Sequence, residues 1–306
     1  MADTAFFGIP RAIVGMIHLP GLPGTPHARL IPAEIADHAR REAATLIDCG
    51  VDALLVENMH DRPYLRGSVG PEIVAAMTAA ALAVRECTAA PCGVQVLAGA
   101  NEAALAVALA AGLDFVRVEG FVFAHVADEG VLEGCAGPLL RARKAWDAEH
   151  IRIFTDIKKK HGAHAITADV SIAETAKAAA FFCSDGVIVS GVATGEPVDF
   201  EELEQVARAV DLPVLVGSGA NPENASQLFQ YADAIIVGSA FKEGGDWTAP
   251  LDRDRIRAFV ECAKGGASSE AIRPPILPAE VRASEMPRPV PQTSDKRNAL
   301  RWNDPV

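Results

Sequence analysis

Short apolar runs alternate with longer alanine-rich stretches along most of the chain. The short runs are rich in Val, Ile and Leu, a pattern typical of strands that are buried on both faces of a parallel sheet. The predicted strands cover residues 12–19, 52–58, 93–98, 114–120, 152–158, 186–191, 213–219 and 234–238.

A helical stretch follows each predicted strand. Pro71 fits the first turn of a helix, Asn101 is expected to cap another, and Gly112 is expected to end it, because glycine tolerates left-handed backbone. The predicted helices cover residues 32–49, 71–88, 101–111, 135–148, 171–184, 200–210, 222–231 and 252–264. This repeated unit predicts an α/β chain that forms a single (β/α)8 TIM barrel over residues 1–266. An open doubly wound sheet is the alternative, but it typically uses fewer strands for this length.

The end of the chain has a different composition. Residues 267–306 hold seven of the 20 prolines and few large apolar side chains. No helical or strand period survives so many breakers, so we predict an extended or partly disordered Pro-rich C-terminal extension.

Charge and composition limit the classes of partner that are expected for this chain. The chain carries 28 Lys and Arg against 40 Asp and Glu, for a net charge of −12. Binding to nucleic acid phosphates needs clustered cations, so we expect no nucleic-acid partner. No uninterrupted apolar stretch is long enough to span a bilayer, so no integral membrane segment is expected. The start lacks a basic targeting region and the six cysteines show no close pairing, which together predict a cytoplasmic protein with reduced thiols.

Ionisable residues stand where the predicted strands end. In a barrel, the carboxyl ends of the strands surround the active site, so these residues are candidates for catalysis. Strand alternation is expected to send Asp156 and Lys158 inward together, and Lys159 starts the loop that follows. The alternative for Lys159 and Lys160 is a solvated basic loop. Lys158 is a candidate for binding an anion, polarising a carbonyl or forming a Schiff base. The catalytic candidates are His18, Glu57, Glu119, Asp156 and Lys158.

Two alternatives accompany these candidates. Glu57, Glu119 and Asp156 are oxygen ligands of the kind that Mg²⁺ or Mn²⁺ prefers, so they form a candidate metal site. The other interpretation is a ring of charges that neutralise one another inside the barrel mouth.

Glycine-rich turns follow the last three predicted strands. Glycine lets backbone N–H groups approach an anion closely, and the last two loops of TIM barrels commonly hold phosphate. The alternative is that glycine is needed only for tight turns. The candidate phosphate ligands are Gly191, Thr194, Gly195, Gly217, Ser218, Gly219, Gly238 and Ser239.

Longer motifs add a family resemblance. The motifs are G-M-I-H-L-P-G-L-P-G-T-P at 15–26, E-N-M-H-D-R-P-Y at 57–64, F-T-D-I-K-K-K-H at 154–161 and D-G-V-I-V-S-G-V-A-T-G at 185–195. They resemble the BtpA family over residues 9–264. The resemblance implies a phosphate-binding barrel. It also implies a role in phosphosugar metabolism or, as for a cyanobacterial member of the family, a role in the accumulation of photosystem I.

Two functions follow from these observations. The first is an enzyme that acts on a sugar phosphate or a nucleotide-derived phosphate, with isomerase, lyase and hydrolase all open. The alternative, implied by the resemblance, is a non-catalytic assembly factor. The expected partner is a small phosphorylated ligand, and self-association into a homo-oligomer is expected by analogy with other small barrels.

Overall fold

In the computed structural model, parallel strands close into a barrel. The structure describes residues 5–191 and 198–265. The strands, in chain order, are β1 (Ala12–His18), β2 (Ala53–Glu57), β3 (Cys92–Gln95), β4 (Phe115–Val118), β5 (His125–Ala127), β6 (Gly130–Leu132), β7 (Arg152–Ile157), β8 (Gly162–Ala163), β9 (Gly186–Val189), β10 (Val214–Val216) and β11 (Ala234–Val237). The order around the barrel is β1-β11-β10-β9-β7-β4-β3-β2.

Helices connect the barrel strands, as the alternating pattern predicted. They are α1 (Pro32–Asp48), α2 (Pro71–Arg85), α3 (Asn101–Ala111), α4 (Ala136–Ala145), α5 (Ile172–Phe181), α6 (Phe200–Ala209), α7 (Ala225–Leu228) and α8 (Arg253–Gly265). The TIM barrel is therefore confirmed. The prediction of a helix over 222–231 was too long, because Asn221 and Asn224 hold each other's backbone N–H groups in a turn before α7 begins.

Phenylalanine rings fill one part of the barrel interior. Phe115 and Phe154 meet edge to face, with ring centroids 5.7 Å apart. Glycine on the neighbouring strands makes room for them: a Cβ at Gly93 would lie 2.3 Å from Phe115, and one at Gly186 would lie 2.5 Å from Phe154. Phe6 packs against both rings and is fully buried. This packing accounts for two glycines that break otherwise apolar strands.

A small antiparallel sheet was not predicted. It has the order β6-β5-β8, and it joins the loop after β4 to the loop after β7. The strands are short and half-exposed, so they carry no long apolar run that the sequence pattern would reveal. The turn between β5 and β6 contains Asp128 and Glu129, which reach the cavity described below.

Two predictions concern other parts of the chain. The Pro-rich extension at 267–306 lies outside the described residues. Across residues 5–191 and 198–265, no helix combines the length and the apolar character that crossing a bilayer requires.

Candidate active site

A cavity of about 420 Å³ opens at the carboxyl ends of the barrel strands. Side chains at the ends of β1, β2, β3 and β4 line it on one side, and the loops after β7, β10 and β11 line it on the other. All barrel strands run in parallel, so these chain ends meet at one mouth. We call this space the mouth cavity.

The centre of the site contains a buried ion pair. Arg117 on β4 donates from Nε to Asp156 Oδ2 and from Nη2 to Asp156 Oδ1, both at 2.8 Å. Such a two-point pair fixes the plane of the guanidinium. Arg117 lines the mouth cavity, whereas Asp156 does not. Asp156 was a catalytic candidate; both its oxygens hold Arg117, an arrangement that favours a positioning role.

Glu119 lies in a second buried network. Its Oε1 accepts from Gln95 Nε2 and its Oε2 accepts from Lys159 Nζ, both at 3.0 Å. Asn101 Nδ2 donates to the Glu119 carbonyl at 2.7 Å, so Asn101 fixes this strand end instead of capping α3 as predicted. Burial raises the pKa of Glu119 above its ordinary value. Gln95 Oε1 is buried and has no hydrogen-bond partner in the described residues.

His18 and Glu57 lie side by side at the ends of paired strands. His18 Nε2 is 3.6 Å from Glu57 Oε2, and both side chains line the mouth cavity. Burial lowers the pKa of His18 to about 3, so its imidazole is neutral at pH 7. Burial also raises the pKa of Glu57. His18 Nδ1 is buried without a partner among the residues that the structure describes.

The three lysines after β7 are arranged differently from the prediction. Strand alternation ends at Ile157, because Lys158 has a left-handed backbone with φ 44°. Lys158 therefore turns away from the mouth cavity and donates to the Thr167 carbonyl at 3.1 Å. Lys159 and Lys160 line the cavity instead, so the alternative of a solvated basic loop does not describe them. Burial, followed by the charge of Arg117, lowers the pKa of Lys160.

The three candidate metal ligands are not assembled into a site among the described residues. No group of three or more His, Cys, Asp or Glu side chains in residues 5–191 and 198–265 is arranged to hold a metal ion. Asp156 is bound to Arg117, and Glu119 is bound to Lys159. Glu57 alone does not make a site, so we derive no step that involves Mg²⁺ or Mn²⁺.

The glycine loops after β10 and β11 lie on the opposite wall of the mouth cavity. Gly219 has φ 74°, a conformation that favours glycine. The N–H groups of Gly219 and Ser239 have no acceptor within the described ranges. Five predicted phosphate ligands line the cavity: Gly217, Ser218, Gly219, Gly238 and Ser239.

Some of the predicted phosphate ligands cannot offer a backbone N–H group to a ligand in the mouth cavity, or do not line it. The N–H group of Gly217 donates to the Val189 carbonyl at 2.8 Å, so it is already used within the barrel. A Cβ at Gly217 would lie 2.6 Å from Ile188 Cγ2, so packing alone requires glycine there. Gly191 is buried and does not line the cavity. Thr194 and Gly195 lie outside the described residues.

Sequence reasoning missed several side chains that line the mouth. Lys159 and Lys160 were not among the catalytic candidates, and Tyr64 and Trp247 were not singled out. Trp247 stands in a loop with glycines at positive φ, which is the one local signal of a tight turn near it. Long loops fold back over a barrel mouth by tertiary contacts, which periodicity does not reveal.

Comparison with solved structures supports the barrel. The fold is similar to that of (S)-3-O-geranylgeranylglyceryl phosphate synthase from Thermoplasma acidophilum, solved with its substrate sn-glycerol-1-phosphate. The TM-score is 0.53 at 20% identity, and the match covers 84% of this chain and 94% of that chain. At this identity the likeness shows the fold alone.

Comparison with known sequences identifies the family. A Caenorhabditis elegans protein whose name labels it mitochondrial is 52% identical over 81% of this chain and 91% of its own length. The cytoplasmic location inferred from composition therefore stays a prediction. The photosystem I biogenesis protein BtpA of Synechocystis is 33% identical over 89% of this chain and 95% of its own length. The model of the BtpA family matches residues 10–265, and the chain therefore belongs to the BtpA family.

Proposed function

We propose that this protein is an enzyme that acts on a small phosphorylated molecule bound in the mouth cavity. One observation carries the proposal: two glycine loops, with N–H groups that have no acceptor in the described residues, share a single cavity with two lysines, an arginine and two buried carboxylates. The sn-glycerol-1-phosphate bound by the Thermoplasma synthase supports a phosphorylated ligand for a barrel of this kind.

The phosphate group is assigned to the β10 and β11 side of the cavity. The N–H groups of Gly219 and Ser239 lack acceptors in the described part of the chain, and phosphate oxygens are strong acceptors. Arg117 adds a fixed positive charge beside this wall, since its Nη2 lies 3.0 Å from where a Cβ of Gly217 would stand. Asp156 holds that guanidinium in place.

Lys160 and Glu57 are assigned to proton transfer. Burial lowers the pKa of Lys160 and raises the pKa of Glu57, so both pKa values shift toward neutrality. Acid–base catalysis is most efficient when the pKa of the catalytic group lies near the working pH. In the proposed step, the Lys160 amine takes a proton from the ligand and the Glu57 carboxyl gives one to a ligand oxygen. Isomerases and lyases both begin this way, and hydrolysis is the third reaction class to test.

Unpartnered atoms on the floor of the cavity indicate where the ligand is held. His18 Nδ1 and Gln95 Oε1 are both buried and both lack partners in the described ranges. A buried polar atom without a hydrogen bond costs about 1–3 kcal/mol, so such atoms are expected to serve a purpose. A hydroxyl group of a sugar-like ligand would donate to Gln95 Oε1, and a hydroxyl or carbonyl group would pair with His18 Nδ1.

A ligand screen with matched variants tests the phosphate assignment. Melting temperature is measured with sugar phosphates, nucleoside monophosphates and inorganic phosphate, where a ligand at 100 times its Kd stabilises by about 2.7 kcal/mol. Ser239→Asp places a negative charge at the proposed phosphate site and is expected to abolish the stabilisation. Ser226→Asp is the control, because it adds the same charge on α7, where Ser226 is exposed. Equal responses of the two variants would contradict the assignment.

Turnover tests the catalytic assignment once a ligand is known. We expect Lys160→Met and Glu57→Gln to bind the ligand and to lose roughly 10²–10⁴-fold in kcat, the usual contribution of a general acid or base. Unchanged kcat in both variants would remove these residues from the mechanism.

The name of the Synechocystis relative favours a second candidate, a non-catalytic assembly role. The same Lys160→Met variant separates the two. Both the variant and the unmodified chain are expressed in Synechocystis cells that lack the relative. If the two restore photosystem I equally, assembly does not depend on the proposed chemistry.

A further inference from the structure

A second cavity of about 670 Å³ opens beside the mouth cavity. It lies between the middle of α1, the loop after β1, the loop after β2 and the loop that precedes α8. We call it the side cleft. His18 lines both spaces, so the two cavities adjoin at that residue.

Cationic side chains dominate the side cleft, although the whole chain has a net charge of −12. Glu42 is the one carboxylate in its lining among the described residues, and Lys242 neutralises it at 2.8 Å. The histidines and permanently charged side chains of the lining are His18, His27, His38, His60, Arg29, Arg41, Arg62, Lys242 and Arg253.

Three of the arginines have no counter-charge within the described part of the chain. Arg253 is 3.3 Å from Asp48, but no carboxylate of residues 5–191 or 198–265 lies within ion-pair distance of the others. Arg29 donates only to backbone carbonyls of its own loop. Arg62 stacks on Trp247, with 4.8 Å between Cζ and the ring centroid, and Arg41 is exposed. Cations that converge on one cleft repel each other unless an anion joins them.

The wall between the two cavities positions part of this charge. His60 stacks on Trp247 with ring centroids 4.9 Å apart, and Trp247 faces the mouth cavity while His60 and Arg62 face the side cleft. Stacking leaves the outward N–H groups of an arginine available for an anion. His38 and His60 face this surplus of charge, and burial, aided by the charge of Lys242, lowers the pKa of His60.

We propose that the side cleft is a second anion site, separate from the mouth cavity, that takes the phosphate or diphosphate group of a ligand. Guanidinium groups bind phosphate oxygens through two parallel hydrogen bonds, and neutral imidazoles add N–H donors. The cleft has a volume of about 670 Å³, which is ample for a diphosphate, and cations without a counter-charge in the described residues lie on several of its walls. The inference does not depend on the proposed function, because it uses different residues apart from His18.

Calorimetric titration of the full chain with inorganic diphosphate tests the proposal. We expect two binding sites on the unmodified chain. Arg41→Glu reverses a charge in the cleft and is expected to weaken one site roughly tenfold or more, since hydrogen bonds to charged groups are worth that much. Arg29→Glu, on another wall, is expected to weaken the same site. Arg257→Glu is the control, because it reverses an exposed arginine of α8 that does not line the cleft.

Combining these variants with Ser239→Asp separates the two proposals. Loss of one site in Arg41→Glu and of the other in Ser239→Asp supports both. If Ser239→Asp abolishes all binding while Arg41→Glu and Arg29→Glu behave like Arg257→Glu, the side cleft is not an anion site and the mouth assignment stands. If only the cleft variants weaken binding, the mouth assignment fails and the second site stands. Absence of any saturable binding of diphosphate overturns the proposal.

Discussion

Replacing His18 with glutamine is expected to reduce the loss of stability between pH 7 and pH 5. Burial lowers the pKa of His18 to about 3 in the folded chain, whereas histidine in an unfolded chain has a pKa of about 6.5. Between these values the unfolded chain binds a proton that the folded chain excludes. The stabilisation is therefore present above the unfolded pKa and is lost as pH falls through it toward the folded pKa.

The size of the effect follows from the two pKa values. At pH 5, protonation of the unfolded histidine lowers the free energy of unfolding by about 2 kcal/mol, while at pH 7 the same effect is only about 0.2 kcal/mol. Glutamine does not titrate, so His18→Gln should lack this pH-dependent loss. Glu57 has the opposite effect on stability, because its raised pKa favours the folded state as pH falls. Glu57 is present in both the unmodified chain and His18→Gln, so the comparison isolates His18.

Urea unfolding at several pH values between 5 and 7 measures the difference. His150→Gln is the control, because His150 is exposed in the loop before β7. We expect His18→Gln to change the slope of stability against pH and His150→Gln to leave it close to that of the unmodified chain. If both variants show the unmodified slope, His18 accepts a proton in the folded state and the argument from burial is refuted.

Three further substitutions test packing, charge and capping, each by urea unfolding. Gly93→Ala is expected to destabilise by about 1–3 kcal/mol, because its Cβ would lie 2.3 Å from Phe115. Asp156→Asn is expected to cost about 3–5 kcal/mol, because it leaves the buried Arg117 charge without its partner. Ser171→Ala is expected to cost about 1 kcal/mol, because the Ser171 hydroxyl accepts from the N–H group of Glu174 at the start of α5.

Matched variants show what each expectation depends on. Gly265→Ala adds a Cβ where nothing lies within 4 Å, so it should leave stability nearly unchanged. Asp37→Asn breaks an exposed ion pair with Arg40 and should cost less than about 1 kcal/mol. A Gly93→Ala chain as stable as Gly265→Ala, or an Asp156→Asn chain as stable as Asp37→Asn, would contradict the corresponding argument.

The barrel was predictable because its strands are buried on both faces. Every residue of β1 and β2 is buried, and such strands appear in the sequence as continuous apolar runs. The strand ends were predictable within a few residues for the same reason. The sheet of β5, β6 and β8 was not, because short half-exposed strands gain their stability from loop contacts that leave no periodic pattern.

The predicted orientation of the lysines after β7 was wrong because of the backbone conformation there. Alternation predicts which face a side chain occupies only while the strand continues, and β7 ends at Ile157. The left-handed backbone of Lys158 then exchanges the positions of the three lysines relative to the cavity. The residue types do not reveal this turn, because left-handed backbone is uncommon outside glycine and lysine gives no signal of it.

The alternative of a self-neutralising charge ring explains part of the mouth but not all of it. Arg117 with Asp156 and Lys159 with Glu119 are pairs of the kind that a ring requires. A charge ring formed for stability alone would leave no buried polar atom without a hydrogen-bond partner, because each such atom lowers the free energy of unfolding. Within the described residues, His18 Nδ1 and Gln95 Oε1 break that condition beside glycine loops whose Gly219 and Ser239 N–H groups have no acceptor. The pairs are thus better understood as supports that hold the remaining donors and acceptors in position for a ligand.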